Sequence, residues 1–150
     1  MRICIGGTFN RLHKGHKLLI DTAIRRAGKK GFVFIGLSTG ELLSKKSFVE
    51  PYEVRRNLLL DFLNTKTNLP TVLIEPITTV EGPTLQMNFD EIIVSFETKE
   101  VAKKINKKRN ERGLKEMNII AIPLVLAKDE KKISSTRIIN GEIDNNGKIQ

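Results

Sequence analysis

Residues 2–27 read RICIGGTFNRLHKGHKLLIDTAIRRA, an apolar run followed by a glycine-containing loop and a longer amphipathic segment. Residues 2–5 predict a short buried strand, which Gly6 and Gly7 end. From residue 14 to residue 27 the apolar side chains recur at helical spacing, which predicts an amphipathic helix. A strand that passes through a glycine-containing loop into a helix is typical of the first unit of a parallel α/β sheet.

The rest of the chain continues this alternation of strand and helix. Apolar runs predict further strands at residues 32–37, 72–77, 91–95 and 119–125. Helices are predicted at 51–63 and 98–112, with a short one at 133–139 and a polar loop at 38–50. The expected fold class is α/β, a Rossmann-like, mostly parallel five-stranded sheet with helices on both faces, in a single domain over residues 1–150. Ligands should bind beyond the carboxyl ends of its strands.

The composition predicts an ordinary globular domain. Hydrophobic residues make up 39% and charged residues 29% of the chain, which is enough apolar material for one core without disulfides. Cys4 is the only cysteine, and its isoleucine neighbours predict a buried, inert thiol. We expect a cytoplasmic location and no membrane partner, because no leader and no apolar stretch of membrane-spanning length is evident. Residues 141–150, rich in Asn, Asp and Gly, are expected to be loosely held.

The net charge of +9 predicts an anionic partner. Much of the excess lies between residues 99 and 115, which hold eight lysines and arginines against two glutamates. This stretch could be a nucleic-acid groove or a solvated helix face. The low aromatic content of 5% argues against base stacking, and no nucleic-acid partner is expected.

The loop after the first strand carries the first set of residues suited to chemistry. Both histidines of the protein, His13 and His16, fall within four residues at the start of the predicted helix. Free main-chain donors and the helix dipole make such a position an anion site, and Gly15 would allow a nucleotide to come close. The alternative is that the histidines only cap the helix. A zinc site is not expected, because the sequence has no third histidine and no second cysteine to complete the ligand set. The usual phosphate-loop patterns are also absent.

A second polar cluster lies at residues 131–138, which read KKISSTRI. It places two serines, a threonine and an arginine at another predicted helix start. Capping that helix needs only one hydroxyl, so the cluster favours a second phosphate cradle.

The chain contains four motifs whose order resembles that of the nucleotidylyltransferase superfamily, and within it that of the phosphopantetheine adenylyltransferases of archaeal and eukaryotic type. They are GGTFNRLHKGH at 6–16, SFET at 95–98, NKKRNERGL at 106–114 and PLVLAKDEKKISSTRIINGEID at 123–144. The resemblance covers nearly the whole chain and implies the nucleotidylyltransferase fold. Two features depart from the pattern: Asn10 replaces the usual aspartate, and SFET replaces the arginine-containing segment of the bacterial branch.

The resemblance implies that ATP reacts with 4′-phosphopantetheine to give dephospho-coenzyme A and pyrophosphate, with Mg²⁺ carried by ATP and no metal site in the protein. It implies catalytic roles for His16, Thr8 and Lys45, with Thr8 and Lys45 also binding phosphopantetheine, although Lys46 competes with Lys45 for that role. The residues that it assigns to ATP binding are Gly7, Thr8, Phe9, His13, His16, Ser95, Thr98, Ser134, Ser135, Thr136 and Arg137. It names no protein partner.

Rival interpretations come from two classes. Cytidylyltransferases typically carry RTxGISTT where this chain has KKISST, and nicotinamide mononucleotide adenylyltransferases usually carry GRFQPFHxGH and ISGT. FAD synthase is not separated from this chain by its residues. From a different class, a basic nucleic-acid-binding module would explain the charge but neither phosphate cradle.

Overall fold

The computed structural model describes residues 1–46 and 48–150, so Ser47 of the predicted polar loop lies outside the described residues. In the described part of the chain, every pair of adjacent strands is parallel and the sheet has the order β3-β2-β1-β4-β5. The strands are β1 (Arg2–Gly7), β2 (Phe32–Ser38), β3 (Thr71–Ile77), β4 (Glu91–Ser95) and β5 (Asn118–Ile122). The predicted α/β fold with a five-stranded sheet is confirmed.

The α-helices are α1 (Lys14–Ala27), α2 (Tyr52–Leu63), α3 (Lys99–Glu111) and α4 (Ser135–Ile139). Short 3₁₀ turns lie at Gly40–Leu43, Gly82–Leu85 and Phe96–Thr98. The first of these falls in the segment predicted as loop. None of the helices in the described residues combines the length and the apolar character needed to cross a membrane.

Local chemistry explains where the predicted boundaries shift. β5 stops at Ile122, because Pro123 has no main-chain N–H for the sheet. α4 begins at Ser135 and not at Ile133, because Ser134 has an extended backbone and its hydroxyl accepts the N–H of Arg137 as an N-cap.

The sheet is covered on both faces because the central strands are apolar throughout. Ile3, Ile5 and Val33 belong to a core cluster with residues of α1 and α2. Cys4 and Phe34, which alternate with them along the strands, belong to a second cluster with residues of α3. Ile3 and Ile5 have no exposed surface, and burying such a side chain contributes about 1.5–3 kcal/mol.

Two arginines are buried without a carboxylate partner among the described residues. The guanidinium of Arg55 on α2 donates to the carbonyls of Thr8, Ser38 and Glu50. Arg109 on α3 donates to the carbonyls of Thr84, Met87 and Lys115. The basic stretch 99–115 is therefore not a fully solvated face, since Arg109 is only 1% exposed and holds the loop before β4.

The expectation of a loosely held tail at residues 141–150 is wrong. Ile143 is buried with Ala127 and Ile133, and it pairs with Ile149 in an isolated antiparallel bridge. The carbonyl of Asn145 accepts the first helical N–H of α1, from Lys14, at 3.1 Å. The Asn, Asp and Gly residues form hydrogen-bonded turns, which pack this segment against the start of α1.

Candidate active site

A cavity of about 810 Å³ opens at the carboxyl ends of the strands. It lies beyond β1 and β4, where the order of the strands along the chain reverses, which is where open α/β sheets bind ligands. Its lining includes Gly7 at the end of β1, Ser38 at the end of β2 and Ser95 at the end of β4. The cavity thus lies at the edge of the sheet where ligands are predicted to bind.

The loop between β1 and α1 has an unusual backbone. Phe9 and Arg11 have left-handed φ angles of 49° and 55°, which a residue other than glycine adopts at a cost of about 1–3 kcal/mol. Phe9 is buried, and its ring lies 5.3 Å from the His16 ring. A side chain at Gly7 would come within 3.3 Å of the Phe9 ring. The loop is thus shaped to place Thr8 and His16 at the cavity.

The two histidines cap α1 reciprocally. The Nδ1 atom of His13 accepts the main-chain N–H groups of Gly15, at 3.1 Å, and His16, at 3.4 Å. The Nδ1 atom of His16 accepts the N–H of His13 at 3.2 Å. A ring whose Nδ1 accepts a hydrogen bond carries its proton on Nε2. Both histidines line the cavity, and their Nε2–H groups have no hydrogen-bond partner among the described residues, so these groups remain free to donate to a ligand.

Both imidazoles are neutral near pH 7. Burial and, to a smaller extent, the nearby Lys132 ammonium lower the pKa of His13 to about 4. Burial lowers the pKa of His16 to about 2, with a smaller contribution from His13. The capping alternative and the anion-site prediction are therefore compatible, because one nitrogen of each ring caps the helix and the other remains available.

Gly15 has a structural reason to be glycine. A side chain there would meet the His13 ring at 3.0 Å from Cε1 and 3.2 Å from Nδ1, and so would disturb the cap. Gly15 also lines the cavity. That a nucleotide approaches it closely stays a prediction.

The second polar cluster reaches the same cavity, which Ser134, Ser135 and Thr136 all line. Two of these hydroxyls already have protein partners, since that of Ser134 caps α4 and that of Ser135 donates to the carbonyl of Asn10. Arg137 is not among the cavity-lining residues. Its guanidinium is held by Asp129, Glu142 and the carbonyl of Lys132, so the fixed charge expected near the triphosphate is directed to these carboxylates.

Ser95 and Thr98 also border the cavity. Their hydroxyl oxygens lie 3.1 Å apart, and the Thr98 hydroxyl accepts the N–H of Ser95 at 3.2 Å. The pair thus fixes the turn between β4 and α3.

The rim of the cavity is cationic on the side of the β2–α2 connection. Lys45 and Lys46 are both exposed and both line the cavity. Sequence reasoning missed two residues, Asn10 and Arg55, whose side chains hold the main chain of the β2–α2 connection. Asn10, which replaces the usual aspartate of the motif, is buried and binds the main chain at Phe48 and Glu50. Arg55 carries no sequence signal that distinguishes it from other basic residues of an amphipathic helix.

The inner part of the cavity is apolar. Ile92 of β4 lines it together with Ala102 and Ile105 of α3 and Phe34 of β2. Cys4 lies among them, and burial raises the pKa of its thiol to about 12, so it remains protonated. The buried position predicted for Cys4 is confirmed.

The carboxylates at the cavity are paired with lysines. Glu81 binds Lys108, which lowers the pKa of the Glu81 carboxyl, and Glu97 binds Lys132. Across residues 1–46 and 48–150, no group of three or more His, Cys, Asp or Glu side chains is arranged to hold a metal ion.

Comparison with known proteins gives the family. Residues 4–141 match the cytidylyltransferase-like family model. The chain is 43% identical over 155 residues to the phosphopantetheine adenylyltransferase of Methanosarcina mazei, covering 99% of this chain and 97% of that protein. It is 38% identical over 150 residues to the enzyme of the same name from Archaeoglobus fulgidus, covering 99% of both chains.

Solved structures agree. A crystal structure of an Archaeoglobus fulgidus protein described as of unknown function is 35% identical, with a TM-score of 0.72 over 81% of this chain and 89% of that chain. A pantoate-β-alanine ligase from Francisella tularensis has a TM-score of 0.58 at 16% identity, covering 93% of this chain and 65% of that chain, and shares the fold alone. On the evidence of its sequence, fold and full-length relatives, the chain belongs to the cytidylyltransferase-like family, in the branch of the archaeal phosphopantetheine adenylyltransferases.

Proposed function

We propose that this chain transfers the adenylyl group of ATP to the phosphate of 4′-phosphopantetheine, giving dephospho-coenzyme A and pyrophosphate. The observation that carries this function is the pair of neutral imidazoles at the start of α1, in a cavity with a cationic rim and an apolar interior. The names of the full-length archaeal relatives support the same reaction.

The chemistry needs no general base. The acceptor phosphate is an anionic nucleophile that attacks the α-phosphorus of ATP, and pyrophosphate leaves as that bond forms. Catalysis then depends on aligning two polyanions and stabilising the charge on the α-phosphate. A His16 that stays neutral is suited to this, because its Nε2–H donates a hydrogen bond and its Nδ1 is occupied by the cap.

The two substrates are assigned to different parts of the cavity. His13 and the starts of α1 and α4 would bind the phosphates of ATP, with Ser95 and Thr98 on the α3 side. Lys45 would meet the acceptor phosphate from the rim, with Thr8 between the two. The apolar lining from β4 and α3 suits the long, largely uncharged pantetheine arm better than a second charged group.

Magnesium enters this proposal as part of the MgATP substrate. Its ligands would be mainly triphosphate oxygens and water, which is how Mg²⁺ is commonly held. The donor set agrees, because the carboxylates that line the cavity, Glu81 and Glu97, are engaged by lysines.

The assignment is tested by supplying MgATP with each of several acceptors and measuring released pyrophosphate. We expect release with 4′-phosphopantetheine and none with FMN or nicotinamide mononucleotide. Release with FMN alone would instead identify an FAD synthase. No release with any acceptor, together with tight binding of DNA or RNA, would favour the nucleic-acid-binding module.

A further inference from the structure

Asn10 is a buried junction between segments that border the cavity. Its side-chain Nδ2 donates to the carbonyl of Phe48 at 2.9 Å, and its Oδ1 accepts the N–H of Glu50 at 2.9 Å. Its own carbonyl accepts the hydroxyl of Ser135. Only 5% of Asn10 is exposed, so the Asn10 end of each bond is largely shielded from water.

Other contacts converge on the same short segment. Arg11 forms an ion pair with Glu50 at 3.3 Å, and its guanidinium lies 5.7 Å from the centroid of the Phe48 ring. Arg55 donates to the carbonyl of Glu50 at 2.7 Å. The main chain is therefore fixed at residues 48 and 50, a few residues after Lys45, which lies exposed at the cavity rim.

We propose that Asn10 is a positioning residue that sets the place of Lys45 by anchoring residues 48 and 50, and that an amide is required for this. The inference rests on the proposed role of Lys45 toward the acceptor phosphate.

An amide is needed because its two main-chain partners are of opposite kinds, one an acceptor and the other a donor. Phe48 presents a carbonyl, which needs a donor, and Glu50 presents an N–H, which needs an acceptor. An amide has one group of each kind, whereas an ionised carboxylate has only acceptors. Asn10→Asp would keep the bond to Glu50 but would bring a charged oxygen against the Phe48 carbonyl in a buried place, where an unsatisfied group is costly.

The test measures both substrates separately in Asn10→Asp. We expect the KM for 4′-phosphopantetheine to rise about tenfold, from the loss of one buried hydrogen bond, and the Kd for ATP to stay within about twofold. Asn57→Asp on the exposed face of α2 makes the same change of charge and should alter neither constant. Circular dichroism melting of each variant checks that it is folded.

A double-mutant cycle with Lys45→Ala separates positioning from a general structural role. If Asn10 acts through Lys45, Asn10→Asp should have almost no further effect on the acceptor KM once Lys45 is removed. Should Asn10→Asp be as harmful in the Lys45→Ala background as in the parent, or should it weaken ATP binding as much as acceptor use, the proposal is wrong. Pyrophosphate release by the parent protein is measured alongside, so a failure of the proposed function is recognised separately.

Discussion

The imidazole rings of His13 and His16 stack with centroids 3.6 Å apart and an angle of 18° between their planes, and each ring accepts the main-chain N–H of the other residue. This reciprocal cap fixes both side chains before any substrate binds. It also determines the tautomer, which leaves the Nε2–H groups for ligands. The same bonds thus serve the stability of α1 and the chemistry of the site.

The Nε2–H of His16 is expected to supply most of its catalytic effect. His16→Ala should lower kcat by on the order of a hundredfold or more, about 3 kcal/mol, because it removes a preorganised donor to transition-state charge. Two further variants distinguish the Nε2–H donor of His16 from its Nδ1 cap. In His16→Gln the side-chain amide nitrogen lies near the former Nε2 position, whereas in His16→Asn the side-chain amide can replace only the capping Nδ1.

We therefore expect His16→Gln to retain more turnover than His16→Asn, and His16→Asn to melt at the higher temperature. Steady-state kinetics and thermal unfolding of both variants give the comparison. The reverse order of turnover would show that His16 acts through the cap alone.

The histidines should make stability depend on pH. An unfolded histidine has a pKa of about 6.5, above the folded values of about 4 for His13 and about 2 for His16. On acidification the unfolded chain therefore takes up protons that the folded protein does not bind. The free energy of unfolding should fall between about pH 6.5 and 4, with a slope of up to about 2.7 kcal/mol per pH unit for the two residues together.

This slope is tested by urea unfolding across that pH window, with the parent protein compared with a His13→Asn/His16→Asn double variant. The carboxylates titrate equally in both proteins, so a difference in slope reports on the histidines. The double variant should be less stable at neutral pH and should lose less stability on acidification. Parallel curves would contradict the low histidine pKa values.

Lys45→Ala should act on the acceptor. We expect a higher KM for 4′-phosphopantetheine and a lower kcat, with the Kd for ATP measured alone nearly unchanged, because Lys45 lies in the β2–α2 connection, whereas Ser134 and Ser135 lie at the start of α4. Lys46→Ala is the matched comparison, since Lys46 is equally exposed and also lines the cavity. Equal losses of ATP affinity and acceptor affinity in Lys45→Ala would overturn this assignment.

The exposed lysines of α3 should affect the rate of encounter with anions. Replacing Lys103, Lys104 and Lys107 by Gln should lower the on-rates of ATP and phosphopantetheine at low salt, and the difference should fade as salt screens the charges. Lys108 is left in place because it pairs with Glu81 at the cavity. Turnover at saturation should stay constant.

The control for this set replaces Arg25, Lys29 and Lys30, which are equally exposed but lie near the end of α1, away from the cavity. Stopped-flow binding at several salt concentrations compares the two triple variants. Salt-resistant, sequence-specific binding of DNA or RNA that only the α3 variant loses would show that this helix face is a nucleic-acid site.

Much of the fold could be predicted from the sequence because hydrophobic periodicity reports on burial directly. α1 begins and ends at the predicted residues, and β4 does as well. The tail was mispredicted because its polar residues resemble a free terminus, whereas their main-chain groups pair with distant partners such as Lys14. Composition carries no information about such long-range pairs.

The residues that line the candidate site could be predicted in part from the sequence. Motifs and helix starts indicated Thr8, His13, His16, Ser134 and Ser135, which the fold brings to one cavity. The partners of Arg55, Arg109 and Asn10 could not be predicted, because main-chain carbonyls leave no trace in the sequence. The pairing of Arg137 with Glu142 likewise depends on the folded tail.

The most direct test of the proposed reaction is to follow all phosphorus atoms by ³¹P NMR while the protein acts on MgATP and 4′-phosphopantetheine. We predict that the ATP signals are replaced by one equivalent of pyrophosphate and one of a new diphosphate ester, dephospho-coenzyme A, with no free AMP. Formation of AMP with unchanged phosphopantetheine, or no loss of ATP at all, would rule out the proposed adenylyl transfer.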